Sequence, residues 1–246
     1  MSIATARRQR GAARVVGTLV RKLEPALLRW YRSVRLPPPP NLEGDRDVEY
    51  SFIASKMPEG PGEAIEVGCG ASYLSLLAAR RGFRARAVDL LTIRQPYVHP
   101  NLSLLQGDFV SLTPPDTGYS LVINCSVVEH IGLTRYGDGA APNGDLEAMA
   151  HLLAAMRPGA TMLLTIPVGR DAVLAPYHRI YGPERLPRLL HGYDRVLAEF
   201  WVKDSENRWT LAPEESALAT EASATYYALG CFVLRKPDAQ KAAGSC

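Results

Sequence analysis

Between residue 64 and residue 167, stretches with the residue preferences of strands and stretches with helical periodicity take strict turns, and few architectures accept such an order. A strand at about 64–67 precedes a helix at about 72–81, SYLSLLAARR, which the glycine of RRGF closes. RARAVDL reads as a second strand ending at Asp89, NLSLLQGDF as a third ending near Asp108, and YSLVINCS as a fourth rich in β-branched residues. A helix over 144–156, GDLEAMAHLLAAM, leads through an RPG turn at 157–159 into a fifth strand, ATMLLTIP. Such alternation predicts an α/β, Rossmann-like, mostly parallel sheet with helices on both faces. Ligands of these sheets sit beyond the carboxyl ends of the strands, beside the first one.

The end of the chain breaks the rhythm. After a helical stretch, GPERLPRLL, two strand-like runs, RVLAEFWV and TYYALGCFVLRK, follow with only a polar insert between them. They predict an antiparallel hairpin at the sheet edge and bring the expected strand count to seven.

A chain of 246 residues with 47% hydrophobic side chains has apolar material for one sizeable core. The expected organisation is an N-terminal arm over 1–40, a domain over 41–236 and a flexible tail over 237–246. Cys69, Cys125, Cys231 and Cys246 lie far apart without metal-ligand spacing and follow no apolar leader, which predicts a reduced, cytoplasmic protein without a structural metal site. No apolar run is long enough for a transmembrane helix.

Charge is unevenly spread. Residues 1–36 carry nine Lys or Arg against the single acid Glu24, leaving 19 bases and 24 acids elsewhere. Within the arm, residues 7–35 read as a basic amphipathic helix, stopped by the run Pro37–Pro40. Three roles remain open for it: packing on the domain or lidding its pocket, a peripheral contact with an anionic membrane or acidic protein, and non-specific nucleic-acid contact.

The segment AIEVGCGAS, residues 64–72, ends the first strand in two glycines, a design that lets a ligand approach backbone. A dinucleotide fingerprint needs a third glycine three places after Gly70, and Tyr73 stands there. YxxxK and GxxxxGK[ST] are both absent.

On these residues the chain resembles the class I S-adenosylmethionine-dependent methyltransferases. Glu66, Gly68 and Gly70 match the first three positions of ExGxGxG, with Ser72 in place of the last glycine, and Ser120 stands where an acid is usual. The resemblance implies S-adenosylmethionine as cofactor, its methionine end over the glycine backbone with Glu66 favouring its positive charges. It implies Asp89 on the ribose hydroxyls, and Asp108 on the adenine amino group with Phe109 covering the ring. Cys69, Leu90, Asn124 and Ser126 complete the implied cofactor contacts, Cys69 and Cys125 being packing residues rather than nucleophiles.

After the fourth strand, NCSVVEHIGLTRYGDG resembles the small-molecule branch of that family, whose loop there faces the methyl acceptor; the [ND]PP[YF] of amino-group methyltransferases of DNA and protein is missing. EHIGLTRYGD, PVGRD and HRIYG are similar to a methyltransferase-related family of unknown function, and are expected on loops at the carboxyl ends of the fourth and fifth strands. His130, His178 and Asp138 are therefore candidates for acceptor-side catalysis, with Glu129, Arg135, Tyr136, Arg179 and Tyr181 shaping the substrate site. Histidine suits a general base near neutral pH; the same three groups, if convergent, could instead hold a divalent ion. For each the plain alternative is structural, a helix or turn hydrogen bond. The expected activity is methyl transfer to a small molecule or sugar, chiefly to oxygen with a histidine base. The alternatives are a nicotinamide-dependent reductase or epimerase, and a non-catalytic S-adenosylmethionine-binding partner protein.

Overall fold

The computed structural model describes residues 44–93 and 95–238, together with Leu23 and residues 25–27. The basic helix expected over 7–35, the proline run and residues 239–246 thus lie, but for those few arm residues, outside the described residues. The chain divides into the units Met1–Leu42 and Glu43–Cys246, and the second carries the fold described here.

Strands β1 (Gly62–Val67), β2 (Phe83–Asp89), β3 (Leu102–Gln106), β4 (Tyr119–Cys125) and β5 (Met156–Val168) form the parallel part of the main sheet. β6 (Ala172–Leu174) and β7 (His178–Ile180) make a separate antiparallel pair. β8 (Asp194–Lys203), β9 (Trp209–Ala212) and β10 (Ala228–Arg235) return to the main sheet, whose order is β3-β2-β1-β4-β5-β10-β8-β9. The strand order reverses between β1 and β4, which opens a crevice at their carboxyl ends.

The central strands are buried on both faces, as their nearly unbroken apolar runs require. Helices α1 (Arg46–Lys56) and α2 (Leu74–Arg80) cover one face through Phe52, Ile53, Leu74 and Ala78. The other face is covered by α3 (Gly144–Ala155) and α4 (Arg185–Leu189), through Met149, Leu152, Leu186 and Leu189. Side chains of a strand alternate between these cores: Leu121 and Ile123 join the first, Val122 the second. Arg81 fastens α1 to the end of α2 by donating to the carbonyls of Met57 and Ala54.

Four details depart from the sequence expectations. The main sheet has eight strands, because the polar insert before β10 supplies β9; the expected hairpin of β8 and β10 is present, but β9 forms the edge. The same insert supplies α5 (Glu214–Leu218), whose Ala217 is fully buried. The RPG segment is a kink inside β5, with Gly159 at φ +72 and a register shift against β4, since Met156 already pairs with Tyr119. HRIYG begins as strand β7 rather than a loop, folded back on β6 and buried at all three of its strand positions. No described helix is long and apolar enough to cross a membrane.

Candidate active site

The crevice at the reversal point holds a cavity of about 630 Å³. Its floor is the turn between β1 and α2. Gly68 and Gly70 adopt φ +64 and +47, a region that side-chain-bearing residues avoid. A Cβ on Gly68 would stand 2.5 Å from Val127 Cγ2, so only glycine lets Val127 close over the loop. The Gly70 amide donates to Asp89 Oδ2 at 2.8 Å and the Leu91 amide to Oδ1 at 2.8 Å. Both carboxylate oxygens are thereby oriented at the cavity wall, and each keeps a lone pair for a ligand.

Along the same wall lie Leu90, Asp108 and Phe109. Asp108 accepts from the Val110 amide at 3.0 Å and caps the one-turn 3-10 helix Phe109–Ser111, while the Phe109 ring meets His151 edge-on at 5.9 Å. Glu66 is not part of the wall. It is buried and accepts from the Ser75 amide at 2.8 Å, so it clamps β1 to the first turn of α2. Burial raises its pKa, with Ser72 and Ser75 donors opposing. Cys69 and Asn124 are also buried outside the wall; burial pushes the Cys69 thiol up to about 12, and Asn124 Oδ1 accepts from the Val128 amide at 3.3 Å. Ser126 does line the cavity, at φ 50.

The opposite wall comes from the turn Val128–His130 and the loop after it. His130 and Tyr136 line the cavity, as does Asp138. His130 Nδ1 lies 2.5 Å from the Tyr177 carbonyl, which can only accept, so the proton of the neutral ring sits on Nδ1. Nε2 is left with a lone pair, 3.5 Å from Glu129 Oε1. Desolvation lowers the His130 pKa to about 4, against the pull of the Tyr177 carbonyl. Glu129 is fully buried, its Oε2 has no partner, and burial raises its pKa to about 8.

The remaining candidates separate from the cavity. His178 is buried with Nε2 unpartnered, its ring 6.3 Å from His130 and 5.2 Å from Tyr227, and burial lowers its pKa. Arg135 donates to the Tyr177 carbonyl at 3.1 Å and lies over the Tyr136 ring. Arg179 and Tyr181, expected to shape the site, are core residues. Arg179 donates to the carbonyls of Ile131 at 2.6 Å and Ala141 at 3.0 Å, holding the loop that carries Tyr136 and Asp138. Tyr181 donates to Asp145 at 3.1 Å, a buried carboxylate that also takes two bonds from Arg185. Asp138 itself accepts from the amides of Gly132 and Tyr136, which closes the loop's turn. Among the described residues, no group of three or more His, Cys, Asp or Glu is arranged to hold a metal ion.

Sequence reading missed α1. Arg46 lines the cavity, and its Nη1 lies 2.6 Å from Glu49 Oε2. The other Glu49 oxygen accepts from Ser126 Oγ and from Thr165 Oγ1, the latter at 2.8 Å. The signal was present: Arg46 and Glu49 stand three apart, with Phe52 and Ile53 following at helical spacing on the inward face.

A family model covers residues 91–237, that of DUF268, described as a Caenorhabditis protein of unknown function. The chain belongs to this family. Among solved structures, the DUF268 chain is similar to the 1,6-didemethyltoxoflavin-N1-methyltransferase of Burkholderia thailandensis, crystallised with 1,6-didemethyltoxoflavin and S-adenosylhomocysteine. Identity is 13%, the match covers 94% of this chain and 90% of that one, and the TM-score is 0.55. The [4+2]-cyclase SpnF matches at 16% identity over 78% of this chain and 81% of its own, with a TM-score of 0.54. The N-methyltransferase NodS of Bradyrhizobium japonicum, with S-adenosylhomocysteine, matches at 14% identity over 79% and 88%, with a TM-score of 0.50. No curated protein matches the sequence. At such identities the likeness is one of fold: the DUF268 chain has the class I methyltransferase fold.

Proposed function

We propose that the DUF268 chain is an S-adenosylmethionine-dependent methyltransferase acting on a small molecule. The observation that carries the reading is the Asp89 carboxylate, held by the Gly70 and Leu91 amides with lone pairs left at the cavity wall. Oriented acceptors of this kind suit two neighbouring hydroxyls, as on the ribose of an adenosyl group, and repel a pyrophosphate. The glycine turn supports it too, since a Cβ on Gly68 would fill the space that Val127 occupies over the loop.

The residues present fit the group. Asp89 would take the ribose, Asp108 and Phe109 the adenine, and the backbone of Gly68 and Gly70 the methionine end. Arg46, the one Lys or Arg on the cavity wall among the described residues, would take its carboxylate. When bound, the cofactor supplies a methyl carbon made electrophilic by its sulfonium. The chain's own work is to orient the acceptor and exclude water, through Val127, Ile131 and Tyr136, and to receive a proton beside His130. Methylation of oxygen, on a sugar or another hydroxyl-bearing compound, is the form of the reaction this wall favours. The buried free thiols of Cys69, Cys125 and Cys231 support a reducing, cytoplasmic setting.

Calorimetry with S-adenosylhomocysteine and, separately, with a nicotinamide dinucleotide tests the reading. Heat with the first and none with the second is expected. The reverse would replace methyl transfer by the reductase reading, and transfer of labelled methyl to any acceptor would exclude a merely binding role.

A further inference from the structure

The buried carboxyl of Glu129 is unexplained by the fold. Its neighbour His130 lines the cavity, yet Glu129 Oε2 is buried with no hydrogen-bond partner, an arrangement that costs stability. Other buried acids nearby are all satisfied: Glu49 by Arg46, Ser126 and Thr165, and Asp145 by Tyr181 and Arg185. Beside Glu129 Oε1 stands His130 Nε2, at 3.5 Å, and the Tyr177 carbonyl dictates that this nitrogen carries a lone pair. Two proton-accepting atoms therefore stand side by side, one of them on a residue that lines the cavity, placed to share a single proton.

We infer that Glu129 and His130 act as one proton-accepting unit, in which a Glu129 oxygen is the final seat of the acceptor's proton and the imidazole is its hydrogen-bonding neighbour. The inference rests on the methyl-transfer reading and changes its expected base. In the step, which starts from the fraction of Glu129 that is ionised at working pH, the acceptor's O–H bond breaks and the proton goes to that carboxylate. The oxygen's electron pair forms the new bond to the methyl carbon, and the pair of the breaking S–C bond stays on sulfur. Glu129 ends as a neutral acid, so no charge is left in the buried site. A histidine alone would end as a buried imidazolium beside Arg46 and Arg135, both of which already disfavour its charged form.

The surroundings agree. Around Glu129 lie Asp45, Arg46 and Glu49 from the α1 segment, His130 in its own turn, Arg179 and Tyr181 from and beside β7, and Tyr227 before β10. Desolvation outweighs Arg46 in raising the affinity of Glu129 for a proton to about 8, near working pH, whereas that of His130 falls to about 4. The group with a well-matched affinity is the carboxyl.

Nuclear magnetic resonance on the full chain, with 13C-labelled histidine and glutamate, tests the pair without knowledge of the acceptor. The His130 ring and the Glu129 carboxyl should show a common step near pH 8, and His130 should then stay neutral down to about pH 4. Glu129→Gln should abolish the step at His130. A His130 that titrates near its ordinary value without a step near pH 8, or a step that survives Glu129→Gln, would overturn the inference. If the variant fails to fold, the glutamate signal of the unaltered chain still decides. Calorimetry with S-adenosylhomocysteine separates the two claims: a shared titration without binding keeps the pair and removes methyl transfer, while binding without the shared step does the opposite.

Discussion

Gly68→Ala probes the contact on which the cavity floor depends. Two costs can be worked out. The backbone at φ +64 is unfavourable for any residue with a Cβ, by roughly 1–2 kcal/mol. The new Cβ would also stand 2.5 and 2.7 Å from the two methyl carbons of Val127, far inside van der Waals contact, and overpacking of this kind costs about 1–3 kcal/mol. The sum, roughly 2–5 kcal/mol, is a large part of the stability of a domain this size. Relief by displacing Val127 would push its side chain, a cavity-lining one, into the space proposed for the methionine end. Urea denaturation should therefore show the loss in stability, and calorimetry with S-adenosylhomocysteine a loss of affinity. Adding Val127→Ala should restore the steric share and leave the roughly 1–2 kcal/mol backbone share. A Gly68→Ala chain as stable and as competent in binding as the unaltered one would refute the reasoning, and so would full recovery in the double variant.

Three further outcomes are expected. Asp89→Ala should weaken S-adenosylhomocysteine binding by about 1–3 kcal/mol through lost charge-assisted hydrogen bonds, and unchanged calorimetric affinity would remove Asp89 from the site. Asp145→Ala should cost about 3–5 kcal/mol in urea denaturation, because Arg179 and Arg185 lose a buried counter-ion; a loss below about 1 kcal/mol would mean the cluster is not held by charge. Stability should fall as pH rises from 6.5 to 8. The folded Glu129 holds its proton up to about 8 while the unfolded chain has already lost it near 4.5, so the contribution of the protonated acid is complete below 4.5 and vanishes through 8. His130 works in the opposite sense, its contribution being complete above 6.5 and lost as pH falls through 4, so the two slopes offset one another between 4.5 and 6.5. Over 6.5 to 8, Glu129 alone is worth up to roughly 2 kcal/mol, which a series of urea midpoints can detect and which Glu129→Gln should remove.

Local order was well written into the sequence. The apolar runs of β1 and β4, the periodicity of α3 and the glycines that end β1 each act within one element, and period and backbone freedom suffice to read them. Asp89 was legible for a similar reason: it ends a strand adjacent to β1, and the parallel register carries it to the level of the glycine turn. α1 was missed because the partners of its Glu49, Ser126 and Thr165, lie far along the chain. β9 was missed because it is only four residues long and two of them are exposed, too short a run for a strand's alternation to show.

By itself, then, the sequence determined the parallel sheet, the place where its order reverses, and the turn whose positive dihedral angles only glycine meets without strain. These follow from sterics and from short-range periodicity. Tertiary structure alone decided what the polar residues do. It buried Arg179 and Tyr181 against Asp145, withdrew Glu66 behind the glycine turn to clamp α2, and brought Arg46 to the cavity. It also set a buried carboxyl beside a neutral imidazole. The reason is desolvation: the charge state and partners of an acid or a histidine depend on what surrounds it in space, and at this site many of the surrounding groups come from residues dozens of positions away.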